Sequence, residues 1–361
     1  MRSISDTVTE MVQWVFPEHA GAPGQIHGGR MMEWIATVGT IAASRVARGH
    51  VVLGAMDDID FLHPVKVGEV AVLQAQVESV GRCSLEVGVR VFAEKPATGM
   101  RALTLSSHLV FVKVDEHVRP VPVPDTIVPR GPAEEALHAA AQERRTRRRA
   151  RLVRRAAAPG PTRGRGHEGE AAETAVRAET REEPEARERG EARAERVEDD
   201  TGGLRWRFES CRSVLPEDTL FGSTMFAGKL LLNIDEAGGI LSMRYTRGLV
   251  MTACLDALDF YAPISSHEVV TFKAGLNHVG TSSLEVGVKV LSEVPRTGET
   301  RHACTAYLTF VHLGPDLRPR PCPPFTPETS DEKRRWDEAA ERRARRLERV
   351  KRLKASINEG R

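Results

Sequence analysis

The chain carries the same sequence pattern twice. The segment VGRCSLEVGVRVFAEKPATG, residues 80–99, returns as VGTSSLEVGVKVLSEVPRTG at residues 279–298, an offset of 199 residues. The same offset, without a gap, matches identical residues on both sides of this segment: Pro17, Glu18, Asp57, Asp60, Phe61, Pro64, Glu69, Phe111 and Val112 correspond to Pro216, Glu217, Asp256, Asp259, Phe260, Pro263, Glu268, Phe310 and Val311. A duplication explains this self-similarity. The chain should therefore fold as two copies of one unit.

The composition indicates a soluble protein of the reducing cytoplasm. Lysine and arginine number 52, aspartate and glutamate 50, and the resulting net charge of +2 argues against a dedicated nucleic-acid binder. Five scattered cysteines without CxxC spacing indicate neither a disulfide framework nor a zinc site. The N-terminus lacks a signal-peptide pattern, and no window approaches the ~18 apolar residues of a membrane span. We expect a cytoplasmic location.

Composition also divides the chain into five segments. Each copy is followed by an arginine-rich run of helical character, and the register between these two runs slips by one residue. We interpret both runs as solvated helix faces rather than phosphate sites. The stretch between the copies has no periodic apolar face and is predicted to be a disordered linker. The predicted segments are domain 1 at 1–130, a basic helical segment at 131–152, the linker at 153–204, domain 2 at 205–326 and a basic C-terminal helix at 327–361.

Each copy combines one apolar helix with several strands. Apolar or small residues recur at helical spacing in both copies: Met31, Ile35, Val38 and Ala42 in the first, Leu231, Ile234, Gly238 and Leu241 in the second. Runs rich in Val, Leu and Phe follow, separated by Gly or Pro, which is typical of strands. A single helix can bury its apolar stripe only against the sheet. The predicted fold is therefore α+β, with an antiparallel sheet wrapped around a central helix.

These features resemble the hotdog-fold acyl-CoA thioesterases, particularly the tandem cytosolic type in which two hotdog domains share one chain. The resemblance rests on GQIHGGRMMEWI and FAGKLLLNIDEAGGI at the two helix starts, on the paired DxxDF segments, and on VGRCSLEV with VGTSSLEV. It covers about 15–150 and 212–350. It implies an internal pseudo-dimer with sheets that continue edge to edge, and hydrolysis of acyl-CoA to free fatty acid and CoA.

A pair of small residues begins each of the two helices. Gly28 and Gly29 follow His27, and in the second copy Ala227 and Gly228 occupy the same turn. Backbone N–H groups at a helix start, at the positive end of the helix dipole, suit the oxyanion of a polarised thioester, and glycine lets the acyl group come close. The alternative is that small residues only let the helix pack tightly against the sheet.

Asp235 is the candidate general base or nucleophile. It lies inside an apolar run, two helical turns beyond Gly228, where an acid is costly unless it is used or paired. In the hotdog family the glycine turn and the acid come from different domains. The resemblance therefore implies one active site, built from five residues: Gln25, His27, Gly28, Gly29 and Asp235. The mirror site, with Ala36 in place of the acid and Phe226 in place of the histidine, should be inactive.

One position departs from the family pattern. Members usually carry an Asn six residues before the His or Phe of this turn, whereas this chain has Gly21 and Leu220 there. Gln25 and His19 are candidates to replace its polar role. Thr252, expected on the strand beside the acid, is a candidate to hydrogen-bond the acid or water, although threonine is also simply a good strand residue.

Three residues are candidate contacts of substrate or water: Arg82, Ser84 and Thr252. Arg82 suits a CoA phosphate because a guanidinium group matches such oxygens. Ser84 and Ser283, together with Glu86 and Glu285, follow a glycine turn in both copies. Their duplication favours a structural role common to both domains.

Two other functions compete with hydrolysis. His19 precedes Glu33 by a spacing that resembles the acid–base pair of hotdog (3R)-hydroxyacyl-thioester dehydratases, whereas the second copy offers Asp218 and Leu232. The missing Asn instead favours a non-catalytic acyl-CoA-binding protein. The glycine turn, Asp235 and the repeated SLEV strands favour the thioesterase.

The thioesterase interpretation also sets the expected partners. No cofactor is needed, because CoA is part of the substrate, and no metal is expected. We expect neither nucleic-acid binding nor stable membrane insertion. Tandem members of the family commonly form trimers of the pseudo-dimer, so the resemblance implies a homo-oligomer.

Overall fold

A computed structural model describes residues 1–21, 24–157 and 201–359. The first half of the chain contains β1 (Thr9–Trp14), α1 (Gly28–Ala47), β2 (Val51–Met56), β3 (Ile59–Asp60), β4 (Val70–Val80), β5 (Ser84–Lys95), β6 (Met100–Lys113) and α2 (Gly131–Ala157). The second half contains β7 (Arg207–Ser213), β8 (Thr219–Leu220), β9 (Thr224–Met225), α3 (Ala227–Thr246), β10 (Leu249–Leu255), β11 (Leu258–Asp259), β12 (Val269–Val279), β13 (Ser283–Val294), β14 (Glu299–Leu313) and α4 (Ser330–Glu359). Within these ranges, none of the helices is both long and apolar enough to cross a membrane.

The two large sheets have the same antiparallel layout. Their strand orders are β1-β4-β5-β6-β2-β11 and β7-β12-β13-β14-β10-β3. Even the irregularities repeat, since the register shifts between Val77 and Ser79 in one sheet and between Leu276 and His278 in the other. Because the bulges keep the offset of the sequence repeat, the duplication in sequence is a duplication of structure.

A long helix fills the concave side of each sheet. The four stripe residues of α1 are fully buried, as are their counterparts Leu231 and Ile234 in α3. Each side chain of this size contributes roughly 1.5–3 kcal/mol when it leaves water. Gly238 lets α3 approach its sheet closely, because a Cβ there would lie 2.9 Å from the ring of Phe310. This arrangement confirms the predicted α+β class and the hotdog architecture.

The two domains exchange short strands where they meet. Strand β3 of the first domain pairs with β10, and β11 of the second domain pairs with β2 in return. Helices α1 and α3 pack against each other between the sheets. From α4, Arg349 reaches across to Asp58 and Asp60 of the first domain, at 2.8 and 2.6 Å. The sheets therefore continue edge to edge, and their inner edges are covered.

The arginine-rich helices α2 and α4 are anchored to the outer faces of the sheets. Glu86 on β5 and Glu285 on β13 are almost fully buried. Each glutamate is held by two arginines that occupy matching positions on the two helices: Arg144 and Arg148 on α2, Arg342 and Arg346 on α4. The interpretation of the basic runs as solvated faces is wrong for these arginines, because a buried carboxylate requires a charged partner. The pairing gives the duplicated glutamates a structural role.

The predicted linker at 153–204 lies mainly outside the described residues, which leave out 158–200. Helix α2 continues to Ala157, beyond the predicted end of the basic segment at 152. Alanine and arginine are good helix formers, which favours a helix throughout 131–157.

Candidate active site

Asp235 is fully buried where the two central helices meet. Its Oδ2 accepts a hydrogen bond from the backbone N–H of Gly29 at the start of α1, at 2.7 Å. Its Oδ1 accepts a hydrogen bond from Thr252 Oγ1 on β10, also at 2.7 Å. Both lengths are those of charge-assisted hydrogen bonds. The acid and the glycine turn, predicted to come from different domains, therefore meet across the interface.

The surroundings of Asp235 act on its pKa in opposite directions. Burial raises the pKa, because removal from water disfavours the carboxylate. The charge of His27, the hydroxyl of Thr252 and the amide of Gly29 lower it, because each favours the ionised form. Burial prevails, and the pKa of Asp235 lies above its ordinary value. A carboxylate with a raised pKa takes a proton from water more readily than an exposed one.

The glycine pair makes the contact between α1 and α3 sterically possible. A Cβ on Gly28 would lie 2.6 Å from Thr252 Oγ1 and 3.2 Å from Asp235 Oδ2. A Cβ on Gly29 would lie 2.9 Å from Asp235 Cβ and 3.0 Å from the backbone of Leu232. The glycines thus admit the acid-bearing helix of the other domain. The sequence analysis explained the glycines by close approach of the acyl group or of the sheet in the same domain. Neither explanation includes this contact between the two helices.

The two glycine amides differ in availability. The Gly29 N–H already donates to Asp235, so the prediction that both amides face the substrate is wrong for Gly29 in this structure. The Gly28 N–H donates to none of the described residues. It is the first residue of α1, at the positive end of the helix dipole. Gly29 therefore orients the acid, and Gly28 remains as a donor for an oxyanion.

His27 borders the site from the first domain. Its Nδ1 lies 3.4 Å from Asp235 Oδ2, longer than an ordinary hydrogen bond, and its side chain is 29% exposed. Gly21, where the family usually has Asn, lies against this ring, since a Cβ on Gly21 would be 2.7 Å from His27 Cδ2. The absence of a side chain at Gly21 therefore makes room for the imidazole.

The two candidates to replace the missing Asn differ in their surroundings. Gln25 is 9% exposed, and its Oε1 has no hydrogen-bond partner within the described part of the chain. A buried acceptor of this kind is costly, which favours a bond to water or ligand. His19 is used locally, because its Nδ1 accepts the Phe16 N–H at 3.2 Å and its Nε2 lies 3.6 Å from Glu18.

Glu33 has a structural role at the interface of the helices. It forms ion pairs with Arg30 on its own helix and with Lys229 on α3. The ring of His19 packs edge-on against Trp34, with 5.0 Å between ring centroids. Arg30 and Lys229 therefore hold Glu33, the acid of the alternative dehydratase pair. Neither of the ion pairs described for Glu33 is to His19. This geometry does not support the dehydratase.

The mirror position is apolar and more open. Ala36 and Leu53 stand where the other side has Asp235 and Thr252. A cavity of about 670 Å³ lies there, between Leu53 of the first domain and Ala227 of the second, and Asp235 is not in its wall. We call it the mirror cavity. We assign the chemistry to the Asp235 cluster, because the mirror position has Ala36 and Leu53 in place of Asp235 and Thr252.

Two predicted contact residues belong to the mirror side. Ser84 lies in the wall of the mirror cavity, and Arg82 is exposed in the turn before β5. Because Asp235 comes from the second domain, the equivalent positions beside it are Thr281 and Ser283. The assignment of Arg82 and Ser84 as contacts of substrate or water stays a prediction, and it now concerns the mirror side. Thr252, the third predicted contact, hydrogen-bonds the acid itself.

Sequence reasoning missed a cation on the catalytic side. Arg343 on α4 lies at the turn before β13, where a Cβ on Gly280 would be 3.7 Å from its Nε. It is exposed and, in contrast to Arg342 and Arg346, forms no ion pair with a described residue. Its counterpart Arg145 lines the mirror cavity. The sequence could have identified Arg343, because it corresponds to Arg145 once the one-residue slip between the arginine-rich runs is taken into account.

No metal site is formed by the part of the chain that the structure describes. No group of three His, Cys, Asp or Glu side chains in those ranges could hold a metal ion. All five cysteines are free thiols.

Comparisons with known proteins match both halves of the chain. Residues 23–100 and 222–299 match the family described as the thioesterase superfamily. The chain is similar to the uncharacterized acyl-CoA thioester hydrolase YkhA of Bacillus subtilis, with 39% identity over 145 residues, 40% of this chain and 84% of that protein. It is 26% identical to the cytosolic acyl coenzyme A thioester hydrolase of Mus musculus over 332 residues, 89% of this chain and 78% of that protein. Among solved structures, the acyl-CoA hydrolase of Staphylococcus aureus in complex with butyryl coenzyme A, coenzyme A and coenzyme A disulfide is 30% identical, with a TM-score of 0.40 over 43% of this chain and 93% of that one.

Proposed function

Because this chain belongs to the thioesterase superfamily, as a tandem of two hotdog domains, we propose that it hydrolyses acyl-CoA thioesters to a free fatty acid and CoA. The observation that carries the proposal is the buried carboxylate of Asp235, which accepts the Gly29 N–H of the other domain at 2.7 Å. Relatives that match most of the chain are named as acyl-CoA thioester hydrolases, which supports this substrate class. One active site per chain follows, because the mirror position has Ala36 instead of an acid.

The reaction proceeds by attack of water on the thioester carbonyl. Asp235 accepts a proton from the water, and the oxygen of the water forms a bond to the carbonyl carbon. The Gly28 N–H, at the positive end of α1, stabilises the oxyanion of the tetrahedral intermediate. Collapse of this intermediate breaks the carbon–sulfur bond, and the leaving CoA thiolate takes the proton held by Asp235, which restores the carboxylate. We favour this route over direct attack by Asp235. Both carboxylate oxygens of Asp235 already accept hydrogen bonds, and these bonds make the oxygens poorer nucleophiles.

The neighbouring residues adjust and complete this chemistry. Thr252 and Gly29 hold the carboxylate in one orientation, and a charged His27 favours its ionised form. The unpartnered Oε1 of Gln25 is suited to accept a hydrogen bond from the attacking water. Arg343, without an ion pair among the described residues, is suited to a CoA phosphate.

The test is thioester cleavage by wild type and two matched variants. Asp235→Asn removes the base, and its amide can still accept the Gly29 N–H and donate to Thr252, so the shape of the site is kept. We expect kcat to fall by about 10²–10⁴-fold with KM nearly unchanged. Glu236→Gln, an exposed neighbour on the same helix, is the control and should retain wild-type activity.

Three outcomes would count against the proposal. Wild-type activity in Asp235→Asn would remove the residue from catalysis. Binding of acyl-CoA without release of thiol by the wild type would make the chain a binding protein. Loss of water from a 3-hydroxyacyl-CoA, abolished by His19→Ala, would establish the dehydratase instead.

Assembly and location are also part of this proposal. Tandem relatives named as cytosolic support a cytoplasmic location. We propose that pseudo-dimers associate further, to trimers of the pseudo-dimer. Light scattering of the purified chain measures the mass, and a mass of one chain at micromolar concentration would contradict it.

A further inference from the structure

We propose that the mirror cavity binds a second acyl-CoA molecule and does not hydrolyse it. The proposal rests on the proposed function, because it takes its ligand class from the catalytic site. Each pseudo-dimer would then hold two substrate molecules and turn over one.

The mirror cavity is built from the same elements as the catalytic site, with the two domains exchanged. Its walls include Ala227 at the start of α3, Leu53 on β2 and Ser84 at the start of β5. On the other side, the equivalent elements are the start of α1 at Gly28, strand β10 with Thr252, and the start of β13 at Ser283. Matching helices and strands, related by the internal repeat, should form a recess for the same class of ligand.

The size and lining of the mirror cavity suit an acyl chain with a polar head. Its volume of about 670 Å³ lies within the range of roughly 300–1,000 Å³ that is common for ligand sites. Near the start of α3 the wall is apolar, with Met225, Leu230 and Ile264 all buried. The apolar end of the cavity therefore suits a hydrocarbon chain.

Charged groups lie where helix α2 borders the mirror cavity. Arg145 and Arg149 are in the wall, and Arg149 is exposed. Four acids also line the cavity, namely Glu86, Asp115, Glu116 and Asp259, and the carboxylate of Asp115 accepts the backbone N–H groups of two neighbouring residues. The exposed guanidinium group of Arg149, on this border of the cavity, is suited to a phosphate of CoA.

The two residues assigned to the base and its orientation have no counterparts at the mirror position. Ala36 replaces the base, and Leu53 replaces the threonine that orients it. Ala227 has a methyl group at the position of Gly28 in the catalytic turn, where a Cβ would collide with Thr252. A thioester bound at this position would lack both the base and the hydroxyl that orients it, so it should remain intact.

Both domains contribute to the rim of the mirror cavity. His50 of the first domain stacks on Phe221 of the second, with 3.8 Å between ring centroids and 12° between planes. Both rings line the cavity, and Phe221 is half exposed. A ligand in contact with this pair would touch both domains, so its binding should stabilise the pseudo-dimer.

The experiment counts binding sites with a ligand that cannot be hydrolysed. The probe is dodecyl-CoA thioether, and isothermal titration of the wild-type chain should give two equivalents per chain. Ala227→Phe, which fills the mirror cavity beside the helix start, should leave one equivalent. Ser223→Trp, at an exposed position of the rim, is a second blocking variant that disturbs no buried side chain. Titrations with CoA alone and with dodecanoate alone show which part of the ligand is recognised.

Activity measurements separate this proposal from the proposed function. Both blocking variants should retain the wild-type kcat/KM, because the Asp235 cluster is untouched, and this also establishes that they are folded. One equivalent in the wild type, unchanged in Ser223→Trp, would overturn the second site and leave the hydrolase intact. Two equivalents in a wild type that releases no thiol would overturn the hydrolase alone.

Discussion

The hydroxyl of Thr252 should set the pH at which the enzyme loses activity in acid. Thr252→Val keeps the branched shape of the side chain and removes the donor that lies 2.7 Å from Asp235 Oδ1. A hydrogen bond to a charged group is worth about 1.5–3 kcal/mol. A shift of one unit in the pKa of the carboxyl group corresponds to about 1.36 kcal/mol. Only the ionised carboxylate accepts a proton, and loss of the donor disfavours that form. The acid limb of kcat/KM should therefore move upward by about 1 to 2 pH units.

The assay is a pH–rate profile followed by the ultraviolet absorbance of the thioester, which avoids a pH-dependent thiol reagent. Thr252→Ser keeps the hydroxyl and is the matched control, whose acid limb should stay within about 0.3 pH units of the wild type, within the usual effect of a neutral exchange. Rates of Thr252→Val above the limb should approach those of the wild type. An equal loss of rate at every pH, with the limb unmoved, would refute the reasoning, because the hydroxyl would then act on the substrate and not on the acid.

Three further predictions concern stability, packing and substrate affinity. Because burial raises the folded-state pKa of Asp235 above 3.8, the folded protein binds this proton more tightly than the unfolded chain, and the group costs stability as pH rises through that window. Asp235→Asn should therefore have a higher Tm than the wild type at neutral pH, and thermal unfolding at a series of pH values should show the difference shrinking toward pH 3.8. Gly29→Ala should lower kcat by about 10²-fold by displacing α1 from the acid, whereas Gly239→Ala on α3, whose Cβ would meet nothing closer than 3.8 Å, should retain activity; equal rates in both would contradict the steric argument. Arg343→Ala should raise KM for acyl-CoA up to about fivefold with kcat unchanged, since an exposed charge pair is worth roughly 0.2–1 kcal/mol, and steady-state kinetics of Arg345→Ala, an exposed position on another face of α4, provide the baseline.

The fold could be predicted from the chain because the signal was repeated. Helical spacing in 28–48 and strand patterning after it occur again 199 residues later, and two independent copies of one pattern leave few alternative folds. Asp235 also stood out, since an acid within an apolar helical run is costly without a purpose. These predictions depend on patterns within each copy and on their repetition, and the resemblance to the hotdog thioesterases supplied the catalytic role of Asp235.

The details of the site depend on contacts between the domains, which local sequence does not report. The need for glycine at position 29 comes from the backbone of Leu232, which lies in the other domain. The arginines of α2 and α4 looked solvated because their partners, Glu86 and Glu285, are distant in sequence. Each error concerns a residue whose neighbour belongs to a distant segment.

The joining of two units into one chain has a consequence for how they can change. In a symmetric homodimer every substitution occurs twice, so removal of an acid would abolish both sites together. Here the halves are free to differ, and Ala36 and Asp235 are the result. Neither half holds a complete site by itself, yet the covalent link keeps the two at a fixed ratio and a high effective concentration. Such a chain can give up one reaction centre, keep the other, and let the vacated face evolve under a separate selection.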